Sequence, residues 1–354
     1  MSLSHTAYHL GVFGGERRFR ARAVVDSPLA CCEPGARSLR CVEFLRGGAT
    51  TVHLLLGDPE SIACQELRDA LEARGHASRM VSNPLADPWR FCWSLSSDES
   101  QSSLRCDGQE AITSEDIASV FVQSTGWIDP SGWRTSDLTY THAETQAALV
   151  SWLWSLECPV VNRYPAAPCY QPDAPLLYWH TLFGRYGLSA PESLVTNAEH
   201  EARAFGERLS DQGRPVAVCG ALTSQARYLV SDEAEWAGVA ALQRISPVYL
   251  IAPHGETRAA WVVGNRVIWE EPPSTELTTI EPSLLSFTVA TGLSLLEFRL
   301  AMSSGKIRVV ALEPRPRLDG LRKAIRKRIV DEIARLLIAG ERNRGRTHVT
   351  RHDP

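Results

Sequence analysis

The sequence predicts an α/β protein, with a mainly parallel N-terminal α/β domain followed by a two-lobed α+β module. Three observations carry this reading. From Thr50 onward, short buried apolar runs alternate with stretches of helical periodicity, the pattern of parallel strands joined by crossover helices. Beyond about residue 169 the order changes to helix-then-hairpin, the mark of an α+β unit. The chain then closes in a helix whose apolar residues recur at helical spacing. The boundaries drawn from these changes are 1–47, an N-terminal extension of no assigned role; 48–168, the N-terminal α/β domain; 169–340, the two-lobed module; and 341–354, a tail expected to be disordered.

Taken in order, residues 1–47 hold three short strand-like runs (Ala7–Phe13, Arg18–Val25 and Ser38–Phe44) and no functional signal. Thr51–Leu56 reads as a buried strand, and Gly57-Asp58-Pro59-Glu60 as the turn into a helix with Ile62, Leu67 and Leu71 on its apolar face. Phe91–Leu95, Ser103–Cys106 and Ser119–Val122 follow as strands. A helix over about 141–156 leads to the strand Pro159–Arg163. Trp152 and Trp154 lie on that helix, where packing in the core is expected of at least one. Trp127 and Trp133 belong to an irregular loop and are expected to pack it onto the domain. In the second half, a helix from Pro175 stops at Gly187, Asn197 caps the next helix, and Gly264-Asn265 turns a hairpin. Pro282–Thr291 is helical, and Gly292–Ala301 and Lys306–Leu312 are strands about Ser303-Ser304-Gly305. Leu318, Leu321, Ile325, Ile329, Ile333 and Leu336 define the last helix, with Gly340 as its stop.

Composition narrows the function classes. The chain has 354 residues, 44% hydrophobic and 22% charged, which excludes disordered and collagen-like classes. No apolar run reaches the roughly 18 residues of a membrane span, and the first 20 residues lack a signal-peptide pattern, so no membrane partner is expected and the expected compartment is the cytoplasm. The nine cysteines form no CxxC pair and the ten histidines no ligand spacing. They read as free thiols and scattered imidazoles rather than a metal site. Lys306, Lys323 and Lys327 are the only lysines among 37 Lys and Arg residues. Net charge is −4, yet residues 315–346 are strongly basic. Arg322, Lys323, Arg326, Lys327 and Arg328 crowd the last helix, suited to an acidic peptide or protein partner or to plain solvation. Nucleic acid is a poor fit, because no aromatic residues interleave with the cations.

Four segments carry a resemblance. Asp116–Val122 is similar to an N-terminal-domain strand, and His142-Ala143-Glu144-Thr145 to the start of the helix that leads to Pro159–Arg163. Tyr186–Asn197 is the nearest match, and Leu312-Glu313-Pro314-Arg315-Pro316 stands where a Glu-x-Asn-x-x-Pro-like segment is expected. Together, over about Thr50–Gly340, the chain resembles the ATP-grasp fold, and within it the RimK-like peptide-modifying ligases, including the microviridin ring-closing ligases. The resemblance makes 169–340 an ATP-grasp-like module and implies chemistry in which ATP activates a carboxylate as an acyl phosphate for attack by a nucleophile. It also makes a homodimer an expectation.

The residues at the family's working positions depart from that chemistry. The resemblance places the two phosphate lysines at Leu176 and Cys219, neither of which holds a phosphate by charge. The segment expected to be the glycine-rich loop, Gly220–Gln225, has one glycine, and the adenine-side segment Pro247–Ala252 is apolar. Arg258 matches a family arginine. The magnesium aspartate falls at Arg299 and the asparagine at Arg315, which leaves Glu313 as the possible metal remnant. Cations at ligand positions repel a divalent ion.

The reading that follows is a degenerate ATP-grasp-like pseudoenzyme, a binding or scaffolding subunit in a peptide-modifying pathway, beside an active ligase, with no cofactor expected and its catalytic residues unassigned. The alternative is an active carboxylate–amine ligase with relocated residues. In it ATP and magnesium are required, Arg258, Arg299 and Arg315 handle phosphates, and Glu313 with another carboxylate holds the metal. Without metal, Arg258, Arg299 and Arg315 become candidate anion-binding residues, or Glu313 simply neutralises Arg299 and Arg315 as an ion-pair network. Cys219 is open to two roles, an inert thiol or a nucleophile served by His180 or His254. Mild alkylation of the native chain, read by mass spectrometry, separates these: a nucleophilic Cys219 labels rapidly, an inert one does not.

Overall fold

The computed structural model describes residues 51–349, apart from 87, 98–99, 107, 125–130, 162, 164–175, 220–225, 253–255 and 304–305. The readings of 1–47, Trp127, Gly220–Gln225 and His254 lie outside the described residues. For Leu176 and Cys219 the backbone is described and the side chain is not.

Strands β1 (Val52–Leu56), β2 (Ser78–Val81), β6 (Ile117–Val122) and β7 (Val160–Val161) form an all-parallel sheet in the order β2-β1-β6-β7. Parallel strands need crossovers, and helix α1 (Ile62–Glu72) joins β1 to β2 while α2 (Thr135–Ser155) joins β6 to β7. Between β2 and β6 stands an antiparallel sheet, β3 (Trp89–Leu95), β4 (Ser100–Cys106) and β5 (Ile112–Thr113). Leu54, Leu56, Val120 and Val122 point to α2, where Trp152 is fully buried and its indole N–H donates to Ser102 at 2.8 Å. Trp154, on the opposite side of α2, is 45% exposed. Ile62, expected on the apolar face of α1, is exposed as well; Ala63, Cys64, Leu67 and Leu71 make that face.

The second half contains two antiparallel sheets. Helix α3 (Leu176–Phe183) continues as one 3-10 turn to Tyr186 and stops at Gly187, whose φ of +71° only glycine adopts cheaply. Strands β8 (Ser193–Thr196), β9 (Val216–Cys219), β10 (Ala226–Val230) and β11 (Val248–Ile251) then form a sheet in the order β10-β9-β11-β8. Helices α4 (Glu199–Ser210) and α5 (Glu233–Gln243) cover one face of it. Ala198, rather than Asn197, occupies the α4 N-cap, and the Thr196 hydroxyl accepts its N–H at 3.0 Å. The last sheet has the order β13-β12-β14-β15, from β12 (Thr257–Val263), β13 (Arg266–Trp269), β14 (Leu295–Ser303) and β15 (Lys306–Glu313). A short helix α6 (Thr275–Thr278) and α7 (Glu281–Thr291) precede β14.

The final helix, α8 (Lys323–Val349), lies between the first sheet and the last. Its buried Ile325, Ile329, Ile333, Ala334 and Leu337 meet Leu55, Phe121 and Val161 from one sheet and Trp261, Val263 and Leu295 from the other. Gly340, expected to end this helix, lies within it, and 341–349 are helical where a disordered tail was expected. The reason is packing: a Cβ at Gly340 would stand 2.1 Å from Cγ of Pro159, so the absent side chain is what lets the two segments approach.

Of the crowded cations at α8 only Arg326 is turned inward; the others are exposed. Arg326 is buried and makes a two-pronged pair with Glu66 of α1, both contacts 3.0 Å. Arg322 reaches the carbonyl of Glu270 at 3.1 Å, Arg328 reaches that of Trp269 at 3.4 Å, and Arg335 pairs with Glu332. Arg322, Lys323, Lys327, Arg328 and Arg335 are all exposed. Among the described residues no helix is long and apolar enough to cross a membrane.

Two substitutions test this arrangement by thermal or urea unfolding. Glu66→Ala leaves a buried guanidinium uncompensated and should cost about 3 kcal/mol. Gly340→Ala gains about 1 kcal/mol of helix propensity. It also drives a methyl into Pro159, an overpacking cost of about 1–3 kcal/mol, so the net change should be destabilising.

Candidate functional site

Alternation along β12 and β14 divides the last sheet into two unlike faces. Ala260, Val262, Phe298 and Leu300 point to α7 and α3, where Phe287, Trp179 and Phe183 close an apolar core. Ala259, Trp261 and Val263 point the other way, and Leu295, Glu297 and Arg299 share their face because the register pairs Val263 with Leu295, Trp261 with Glu297 and Ala259 with Arg299. On β15, Glu313 stands opposite Glu297, and Ala311 opposite Arg299. A bulge follows at once: Leu300 pairs with Val309, which leaves Val310 as the extra residue.

This face therefore gathers two carboxylates, Glu297 and Glu313, in the half of the sheet nearer the β12–β13 turn, and a guanidinium, Arg299, at the middle of β14. Glu297 is 8% exposed, so its oxygens must be bonded to be tolerated. One accepts the Trp261 indole N–H at 3.1 Å and the other the Arg299 Nε–H at 2.7 Å. Glu313 is exposed, and its carboxylate accepts the backbone N–H of Arg315 at 2.9 Å. Of the residues named for this region, Glu313 meets Arg315 through that backbone bond, and Arg299 bonds Glu297, the cross-strand neighbour of Glu313. Arg258 does not join them. It pairs with Leu300 across the strands, so it projects from the apolar face, and its guanidinium bonds Glu271 and Glu256. Glu297 went unnoticed in the sequence; its separation from Glu313 becomes meaningful only through the register.

The second sheet has a comparable division. Val248, Leu250 and Ala252 point to α4 and α5, whereas Tyr249 and Ile251 share the opposite face with Ala217, and Leu177 of α3 packs on them. Tyr249 is 2% exposed, and its hydroxyl lies 3.3 Å from Nδ1 of His180. Burial pushes the His180 imidazole down to a pKa of about 4, so it is neutral at pH 7. Leu176 opens α3, and Cys219 ends β9 opposite Tyr249. Their backbones thus stand beside this apolar face.

The donors at the Glu297–Glu313 corner do not make a magnesium site. Magnesium needs near-octahedral oxygen coordination. Here each oxygen of one carboxylate already accepts a hydrogen bond, from an indole and from a guanidinium, and a second guanidinium follows two residues after the other carboxylate. Among the described residues no group of three His, Cys, Asp or Glu side chains converges.

No family model matches the chain, and no curated protein matches it. Solved structures do. The macrocyclase MdnC from Microcystis aeruginosa MRC, bound with precursor peptide MdnA, superposes with a TM-score of 0.66 at 13% identity, over 82% of this chain and 99% of that one. A RiPP-associated ATP-grasp ligase from Chryseobacterium gregarium, in complex with ADP and a leader and core peptide, gives 0.64 at 14% identity, over 82% and 97%. A RimK domain ATP-grasp protein from Sphaerobacter thermophilus DSM 20745 gives 0.50 at 17%, over 81% and 100%. The chain has an ATP-grasp fold of the RimK and microviridin type.

The buried histidine sets a pH test. Its folded pKa lies below the unfolded value of about 6.5, so the unfolded chain binds more protons between about pH 6.5 and 4. His180 should therefore favour the folded state fully above that window and progressively less as pH falls through it. In thermal melts from pH 7 to 4, His180→Gln should lose stability less steeply than the parent chain.

Proposed function

We propose that this chain is a peptide-binding ATP-grasp-fold protein that does not turn over ATP with magnesium and serves as a binding or scaffolding subunit of a peptide-modifying pathway. The observation that carries this reading is the Trp261–Glu297–Arg299 arrangement. The sequence resemblance sets Arg299 at the position expected of a metal-holding carboxylate, and its bond to Glu297 on the sheet face supports reading it as a settled cation there. Leu176 and Cys219 at the positions expected of phosphate lysines support it, because phosphoryl transfer depends on cationic stabilisation of developing charge. The peptide ligand follows by analogy, since MdnC and the Chryseobacterium ligase were both solved with peptides bound. An acidic peptide or protein is the preferred partner. Lys323, Lys327, Arg328 and Arg335 are exposed cations of α8, and Arg322 is exposed just before it. An active ligase as the second subunit, and a homodimer, complete the proposal.

The test is calorimetric titration of the purified chain with ATP, with and without magnesium, beside an assay for ATP-dependent amide formation. No magnesium-dependent heat and no ligation are expected. Magnesium-dependent binding together with product would overturn the reading and make the chain a ligase with relocated residues.

A further inference from the structure

The face of β14 holds more than a neutralised pair. Arg299 is fixed at its inner edge alone: Nε donates to Glu297, and the two Nη groups have no partner among the described residues, with the side chain 41% exposed. Glu297 is itself fixed, because its other oxygen is held by the buried Trp261 indole. The cross-strand neighbours of Arg299 on this face are two small residues, Ala259, which is fully buried, and Ala311, so neither competes for its guanidinium with a polar side chain. The bulge beside Arg299 is a further device of the kind that re-aims a side chain. Glu313, the nearest other carboxylate by register, is occupied by the backbone N–H of Arg315.

We infer that Arg299 is an oxyanion-binding residue, presented by Glu297 and Trp261 as positioning residues, and that it takes a carboxylate or phosphate group without a metal. A guanidinium held at Nε offers its paired Nη–H groups as a flat fork, which matches two oxygens of such a group. The inference deepens the function proposed above and rests on it in treating this corner as metal-free.

The experiment titrates the full chain with inorganic phosphate and, separately, with N-acetylglutamyl amide, in buffer of fixed chloride. Saturable binding of at least one probe is expected, and the responding probe identifies the source of the oxyanion. Arg299→Ala should weaken it about tenfold or more. Arg299→Lys, which keeps the charge and guards against a misfolded Ala variant, should also weaken it by losing the fork. Glu297→Gln separates positioning from neutralisation by sign. Loss of an aligned Arg299 lowers affinity, whereas removal of a mere counter-charge raises it. Binding unchanged in both Arg299 variants, no binding of either probe, or tighter binding in Glu297→Gln overturns the inference. Ligation by the parent chain, with phosphate binding still lost in Arg299→Ala and indifferent to magnesium, overturns the earlier reading alone.

Discussion

Helix α8 is the constraint on which the rest depends. It has apolar side chains on two flanks, and each flank needs a sheet to cover it; the first sheet supplies one cover and the last sheet the other. The pair between Arg326 and Glu66 then sets how α8 lies along α1, because a two-pronged contact of 3.0 Å on both prongs tolerates little sliding. Asp319 adds a second fastening just ahead of α8. Its carboxylate accepts the N–H of Ala63 at 2.8 Å and the hydroxyl of Ser61 at 3.0 Å, at the N-terminal end of α1. A negative charge there is favoured by the helix dipole. The last residues of the fold thereby hold the first helix.

That fastening has a consequence for the corner around Arg299. Trp261 lies in the same core as α8, fully buried, and its indole N–H has a carboxylate within reach only because β14 runs beside β12 in one particular register. The apolar packing of α8 thus helps to hold a hydrogen-bonded chain that ends at the guanidinium. Rigid support beneath and an exposed polar tip above is the arrangement that binding sites need. The other half of the module differs in kind. Tyr249, Ile251, Ala217 and Leu177 make a largely apolar face with one neutral imidazole beside it.

Much of the fold was legible in sequence, and for identifiable reasons. The alternation of buried runs with helical spacing after Thr50 reports the parallel sheet, since strands buried on both faces are mainly apolar; the polar exceptions, His53 and Ser119, bond each other. Gly264-Asn265 marks the β12–β13 turn, and Gly187 with positive φ marks the end of the helical segment at Tyr186. The failures have equally local causes. Gly340 reads as a stop because glycine disfavours helix, but Pro159 makes the small residue a packing requirement. Arg326 reads as one more surface cation of the last helix because its partner Glu66 is distant in the chain.

The sequence by itself determined the parallel character of the first sheet, the presence of the last helix and the residue types near Glu297: Arg299, Glu313 and Arg315, with no lysine among them. Those properties depend on local periodicity and on identity, which one strand or helix carries alone. Only the tertiary structure decided that Glu297 stands opposite Glu313 and holds Arg299, and that Arg258 projects from the other face. The physical reason is the two-residue repeat of a strand. A single-residue change in register or a single bulge exchanges the faces, and the residues that fix the register lie on neighbouring strands.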